Sequence, residues 1–275
     1  MRKCVLEITS GFLNADPLIT GFKAFTPVTP NGFKVRAAKG RLLQAWSENQ
    51  LPNDFQRITS PNLHDQKVAL TFPVQNSSEL VPLLQWNDVS ETMFPNDQLT
   101  IEGTNASAFT GVMINTHLLI YYPEYRDSET NFISYSEYKR RFKHYLLNKV
   151  HITPDPALVG FYSGERAINA DSDPFVYTSE YALLGANIVA NTFGCIGVRS
   201  PDWGGFRIGI PGQSQMFYGV QNSLNWFPFL SRLFDDLPCI PVVSPANRGA
   251  TIVDVTANNV VPSDIIFQFA QLEKA

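Results

Sequence analysis

The tetrapeptide Val74-Gln75-Asn76-Ser77 returns as Val220-Gln221-Asn222-Ser223, 146 residues later (220 − 74). The echo runs on: Leu80-Val81-Pro82-Leu83-Leu84 is matched at the same offset by Trp226-Phe227-Pro228-Phe229-Leu230. An offset close to half of a 275-residue chain points to two related domains rather than to a solenoid, whose units span some tens of residues.

Weaker echoes fall in the same order. Asn14-Ala15-Asp16 is followed by Asn169-Ala170-Asp171, Val35-Arg36 by Val198-Arg199, and Thr100-Ile101 by Thr251-Ile252. Each half closes on an apolar run, Leu118 to Tyr122 and Ile265 to Phe269. These marks predict an internal duplication.

A hydrophobic content of 44% with 17% charged residues supplies packed cores and excludes a disordered chain. Phe and Tyr (20 and 10), with 19 Pro and 17 Gly, read as strands joined by many turns. Turn signals every ~8–12 residues, with no regular alternation of strands and long helices, predict mainly antiparallel β structure of the sandwich or jelly-roll kind. A net charge of −4 gives no global drive toward nucleic acid or anionic membrane. Cys4, Cys195 and Cys239 are widely spaced and odd in number, which fits neither a zinc site nor a disulfide framework. Glu7, Thr9 and Ser10 interrupt the first apolar burst, so the expectation is a protein made without export.

The expected layout is a first β domain over residues 1–122, a connector over 123–155, and a second β domain over 156–275. In the connector, Tyr138, Phe142, Tyr145 and Leu146 fall at helical spacing, predicting an amphipathic helix over Ser136 to Val150. Those four residues form its expected buried stripe, with Arg140 and Arg141 more exposed and Lys139, Lys143 and Lys149 on the other face. Strands are expected at 68–73, 98–102, 112–122, 183–193, 206–210, 240–243, 250–255 and 265–269. A short helix capped by Asn76 or Ser77, with Pro82 near its first turn, is expected in the first half, and a second over Leu224 to Phe234, with Pro228 in its first turn and Asn222 at the place equivalent to Asn76.

Two tandem strand-rich halves, each with a helix before its closing strands, and Val35-Arg36 followed by Gly40-Arg41-Leu42-Leu43, resemble the double jelly-roll major capsid proteins. That family builds the shells of icosahedral, membrane-containing bacteriophages of corticovirus and tectivirus type and of related flavobacterial phages. The resemblance implies two tandem jelly-roll barrels in a homotrimer of pseudo-hexagonal outline within a virion shell. Its partners would be neighbouring capsomers, with other virion proteins and an internal membrane nearby, after synthesis in the host cytoplasm. It carries over no catalytic residue, cofactor or metal, and no specific nucleic acid recognition.

The residues agree that catalysis is not the expected role. Of His64, His117, His144 and His151, only His64 has a neighbouring carboxylate, and that is no triad or metal spacing. Ser163-Gly164 and Gly212-Gln213-Ser214-Gln215 lack the nucleophile elbow, and Gly204, Gly205 and Gly209 precede no dinucleotide-binding helix. Glu165, Asp171 and Asp173 offer carboxylates for a hard cation, but without the ligand order of a calcium loop they read as a solvated acidic turn. Trp203 and Trp226 read as core or interface residues, with a sugar platform as the alternative. The competing reading of the whole chain is a two-domain β-sandwich binding module, a virion spike or a carbohydrate- or receptor-binding protein.

Overall fold

The computed structural model describes residues 5–14, 23–24, 26–27, 33–48, 55–60, 62, 70–73, 91–103, 113–122, 131–155, 162–188, 193–204, 207–211, 223–233, 235–257 and 262–274. Glu7–Pro123 makes up the bulk of one compact unit; Glu124–Ser214 with Gly219–Ala275 makes up the bulk of another. Every strand pairing of described register is antiparallel. The architecture is mainly antiparallel β.

The first half carries β1 (Val5–Asn14), β2 (Lys23–Ala24), β3 (Thr26–Pro27), β4 (Gly40–Glu48), β5 (Phe55–Thr59), β6 (Leu70–Pro73), β7 (Glu91–Met93), β8 (Thr100–Gly103) and β9 (Met113–Tyr122). They form a five-stranded sheet ordered β3-β1-β9-β4-β7 and a four-stranded sheet ordered β2-β8-β5-β6. Leu42, Ile58, Ile101, Ile120 and Tyr122 are fully buried, with Ile58 opposite Ile101 in the smaller sheet. Gly40 is needed where it stands, because a Cβ there would meet Ile120 at 2.9 Å and the Tyr122 ring at 3.1 Å.

The second half carries β10 (Phe132–Ile133), α1 (Tyr135–Arg141), β11 (Phe142–Ile152), β12 (Tyr162–Ala167), β13 (Tyr181–Ile188), β14 (Phe193–Arg199), β15 (Arg207–Pro211), α2 (Trp226–Leu233), β16 (Ile240–Val243), β17 (Ile252–Ala257) and β18 (Ser263–Leu272). Its five-stranded sheet runs β10-β16-β13-β18-β11 and its four-stranded sheet β12-β17-β14-β15. Branched residues line up in rows across the smaller sheet: Ile210, Ile196 and Val255 in one, Ile208, Val198 and Val253 in the next. All six are buried, so this face of the smaller sheet lies in the core of the unit. In the larger sheet Phe267 and Phe269 of β18 are wholly buried, and Phe175 meets Phe269 edge-on at 5.1 Å.

Setting β3 and β10 aside, the strand order of one half repeats in the other. In each, strands one, eight, three and six in chain order make the larger sheet, and two, seven, four and five the smaller. Equivalent strands lie 137 residues apart at β1 and β11 (142 − 5) and at β6 and β15 (207 − 70). The separation becomes 149 at β7 and β16 (240 − 91) and 150 at β9 and β18 (263 − 113). The step falls in the interval that holds the repeated tetrapeptide. The Thr-Ile echo falls at the start of equivalent strands, Thr100 opening β8 and Thr251 immediately preceding β17, and the closing apolar runs fall on the equivalent strands β9 and β18. The Asn14 and Val35 echoes do not: Asn14 ends β1 whereas Asn169 follows β12, and Val35 precedes β4 whereas Val198 lies within β14. Asn76 and Asn222 lie outside the described residues, so their capping of a helix is not visible.

The helix expected over 136–150 is a correction. Ser134 accepts the Glu137 N–H and starts α1, but the helix ends at Arg141 and Phe142 is extended (φ −62°, ψ 129°). Beyond it Asn148, Val150 and Ile152 are buried and Lys149 and His151 exposed, the period of two of a strand. The register with β18 runs from Phe142 opposite Leu272 to Ile152 opposite Ser263. Tertiary pairing overrides local helical spacing here. Of the expected buried stripe, Tyr138 is buried, Phe142 and Leu146 are half-buried, and Tyr145 is exposed. Arg141, expected outside, is buried.

Candidate assembly surface

The helix α1 is fastened at its start by groups from distant parts of the second unit. Ser231 of α2 accepts the Tyr135 N–H at 2.9 Å and donates to the Leu237 carbonyl at 2.6 Å. Asp236, at φ 61°, accepts the Ser136 N–H at 2.8 Å and the Ser136 hydroxyl. Burial pushes the Asp236 carboxyl up, but the hydrogen bonds from Ser136, Ser134 and the Tyr135 N–H outweigh it and hold the group below the ordinary aspartate value. At its end Arg141 reaches the Glu273 carbonyl at 3.0 Å, Glu180 at 2.6 Å and Glu137 at 3.4 Å.

From α1 into β11 an aromatic ladder steps Tyr135, Tyr138, Phe142 and Tyr145, with ring centres 5.9, 5.9 and 4.6 Å apart. The Lys139 ammonium lies 5.7 Å from the Phe142 ring and 6.0 Å from that of Tyr138. Burial, then a hydrogen bond to Tyr145, push the Tyr138 hydroxyl well above the usual tyrosine range. Tyr145, the last ring of the ladder (53% exposed), and Leu147 beyond it (62%) stand on the outer face of the sheet. The strand's far end is tied down: His151 contacts Asp264 at 2.8 Å, Lys149 contacts it at 3.3 Å, and Asp171 accepts the His151 N–H at 2.6 Å.

The carboxylates considered for a cation each face an arginine: Glu165 with Arg199 at 2.7 Å, Asp173 with Arg248 at 2.9 Å, and Asp171 with Arg166. Charge is therefore matched on that turn by side chains. His144 is exposed on β11; the backbone of His117 lies opposite Trp46; His64, Gly205 and Gly212 lie outside the described residues. Gly164 proves to be a backbone device, since at φ 73° it sits in the β12 bulge, where a Cβ would meet the Thr153 carbonyl at 2.8 Å. Gly204 closes the 3-10 turn Pro201–Trp203 at φ 62°, and Gly209 pairs with Gly197 inside the smaller sheet. Trp203 and Trp226 are both wholly buried, and the Trp203 indole N–H donates to the Val242 carbonyl at 3.0 Å. Neither is a surface platform.

Sequence reading missed a second exposed feature. Phe175 is anchored in the core and the Ser179 N–H closes a turn on the Val176 carbonyl, which presents Tyr177 at 73% exposure. The Arg248 guanidinium lies 4.0 Å from the Tyr177 ring centre while also held by Asp173. The only trace of it in the chain is the Asp-Pro-Phe turn signal at 173–175.

No protein-family model matches the chain, and no curated protein does. Among solved structures, the major capsid protein P2 of bacteriophage PM2 aligns over 97% of this chain and 98% of its own, at 6% identity and a TM-score of 0.25. A structure of Sulfolobus turreted icosahedral virus aligns over 97% and 90%, at 7% identity and a TM-score of 0.18. Likeness at these scores does not define a shared fold.

Proposed function

We propose that this chain is the coat protein of an icosahedral virion, a double jelly roll that assembles as pseudo-hexagonal homotrimers. The observation that carries the reading is the repeated interleaved strand order, a five-stranded and a four-stranded antiparallel sheet in each half. Interleaving of strands one, eight, three and six against two, seven, four and five is the connectivity of a jelly roll. Two of them in tandem have a geometric use: three chains around a threefold axis present six similar edges to a hexagonal lattice. The role is structural and non-catalytic, and its place is the capsid. Light scattering of the purified protein tests it. A mass of three times 30.8 kDa, with lattice formation in electron micrographs at high concentration, is the expected result. A strict monomer that forms no lattice overturns it.

One observation favours a second reading, a sugar- or receptor-binding sandwich: the exposed Tyr177 backed by Arg248 and Asp173. Stacking on the free ring face would hold a ligand there. Glycan-array binding abolished by Tyr177→Ala supports it, and an array with no signal removes it.

A further inference from the structure

Strand β11 is the last strand of its sheet, and among the described residues nothing pairs with its outer edge. Its equivalent in the first half, β1, is not left so: β3 pairs along the outer edge of β1, Gly11 opposite Pro27 and Phe12 opposite Thr26. The direction of the exposed N–H groups follows from one hydrogen bond. The His151 N–H leaves the sheet to reach Asp171, so it faces outward. The register is unbroken from His144 to Ile152, so the N–H groups of Lys149, Leu147 and Tyr145 face the same way. The side chains of Tyr145 and Leu147, the most exposed apolar groups of this strand, stand beside that edge.

Charge narrows what can dock. From Tyr138 to Pro154 there are five Lys and Arg and no Asp or Glu, within a chain of net charge −4. The rest of the chain therefore carries −9 (−4 − 5). Arg141 and Lys149 are ion-paired inside the unit, while Lys139, Arg140 and Lys143 are exposed. Two β11 edges brought together would juxtapose like charges, the device by which natural edge strands avoid pairing with themselves. A different, acidic part of another copy meets no such repulsion.

We infer that the outer edge of β11, from Lys143 to Lys149, is where a second copy of this chain docks, through a heterologous contact that adds backbone to the sheet. Because the two patches differ, the contact runs head to tail and makes a ring of three when successive copies are related by a threefold rotation, whereas a twofold pairing of β11 with itself would stop at a dimer. The inference rests on the coat-protein reading and names the surface that reading uses.

Sedimentation velocity of the full chain tests it, comparing wild type with Leu147→Pro and with the double variant Lys139→Glu/Lys143→Glu. Proline at 147 removes an outward N–H and leaves the ladder to β18 intact. Both variants are expected to weaken association at least tenfold, and wild-type association to weaken as sodium chloride rises from 50 to 500 mM. Should circular dichroism show Leu147→Pro unfolded, the charge-reversal variant decides alone. Wild type associating while the folded variants associate equally well overturns the docking edge and leaves the coat reading standing. A wild type that is monomeric at every concentration overturns the coat reading and the edge with it.

Discussion

Arg141 is 6% exposed, and the groups it binds come from three places: Glu137 one turn back, Glu180 before β13 and the Glu273 carbonyl after β18. It joins helix to sheet where a local reading of the helix puts a solvated charge. Replacing it with Gln keeps some length but loses the charge-assisted bonds. The expected cost is about 2 kcal/mol, in the range of charge-assisted hydrogen bonds and below that of a fully buried pair because Glu180 stays 38% exposed. A Tm unchanged from wild type would rule this role out. Asp236 sits at the other end of the same helix. Its folded pKa is depressed, so its contribution is present above the unfolded value of about 3.9 and is lost as pH falls through the folded value. Asp236→Asn should lower stability at pH 7 and flatten the acid limb of a Tm-against-pH curve. Parallel curves for the two proteins would contradict the capping role.

At the level of elements, the residues around 142 satisfy two periodicities at once. Phe142, Tyr145 and Leu146 match a helix, while Leu146, Asn148, Val150 and Ile152 match a strand. Nothing within the segment decides between them; the partner is β18, more than a hundred residues away. Strands whose own alternation or apolar run is strong were legible for the same reason that this one was not: β6, β9 and β16 fall within the expected spans, and β8, β17 and β18 overlap theirs but run one to three residues beyond them. Helix α2, whose Trp226, Phe227 and Leu230 are buried on one face, also falls within its expected span. The site was less legible, because exposure of Tyr145, Leu147 and Tyr177 is set by what packs on the far side of each backbone. Strand parity in β11 is testable directly. Val150→Asp should destabilise by at least about 3 kcal/mol, a buried valine lost and a carboxylate desolvated. Lys149→Thr should change stability by under about 0.5 kcal/mol. Comparable losses in urea titrations would contradict the strand assignment.

Across the whole chain, the last strand of each half is an inner strand: β9 lies between β1 and β4, and β18 between β11 and β13. A ribosome delivers these strands last, so neither larger sheet can close until its half of the chain is almost fully synthesised. Until then β11 and β13 must wait with their ladders to β18 unmade, and exposed strand edges of that kind are prone to aggregate. Pairings as remote as Phe142 with Leu272 also place folding in the slow, millisecond-to-second regime of high contact order. On stalled nascent chains, protease resistance of the second half should therefore arise abruptly, once Ser263–Leu272 has cleared the exit tunnel, rather than growing strand by strand. Resistance already complete with that segment still inside the tunnel would mean that the half closes without its inner strand. A coat protein made in many copies would meet this exposed interval with every chain, and the basic, carboxylate-free run from Tyr138 to Pro154 keeps waiting copies of β11 from pairing with one another.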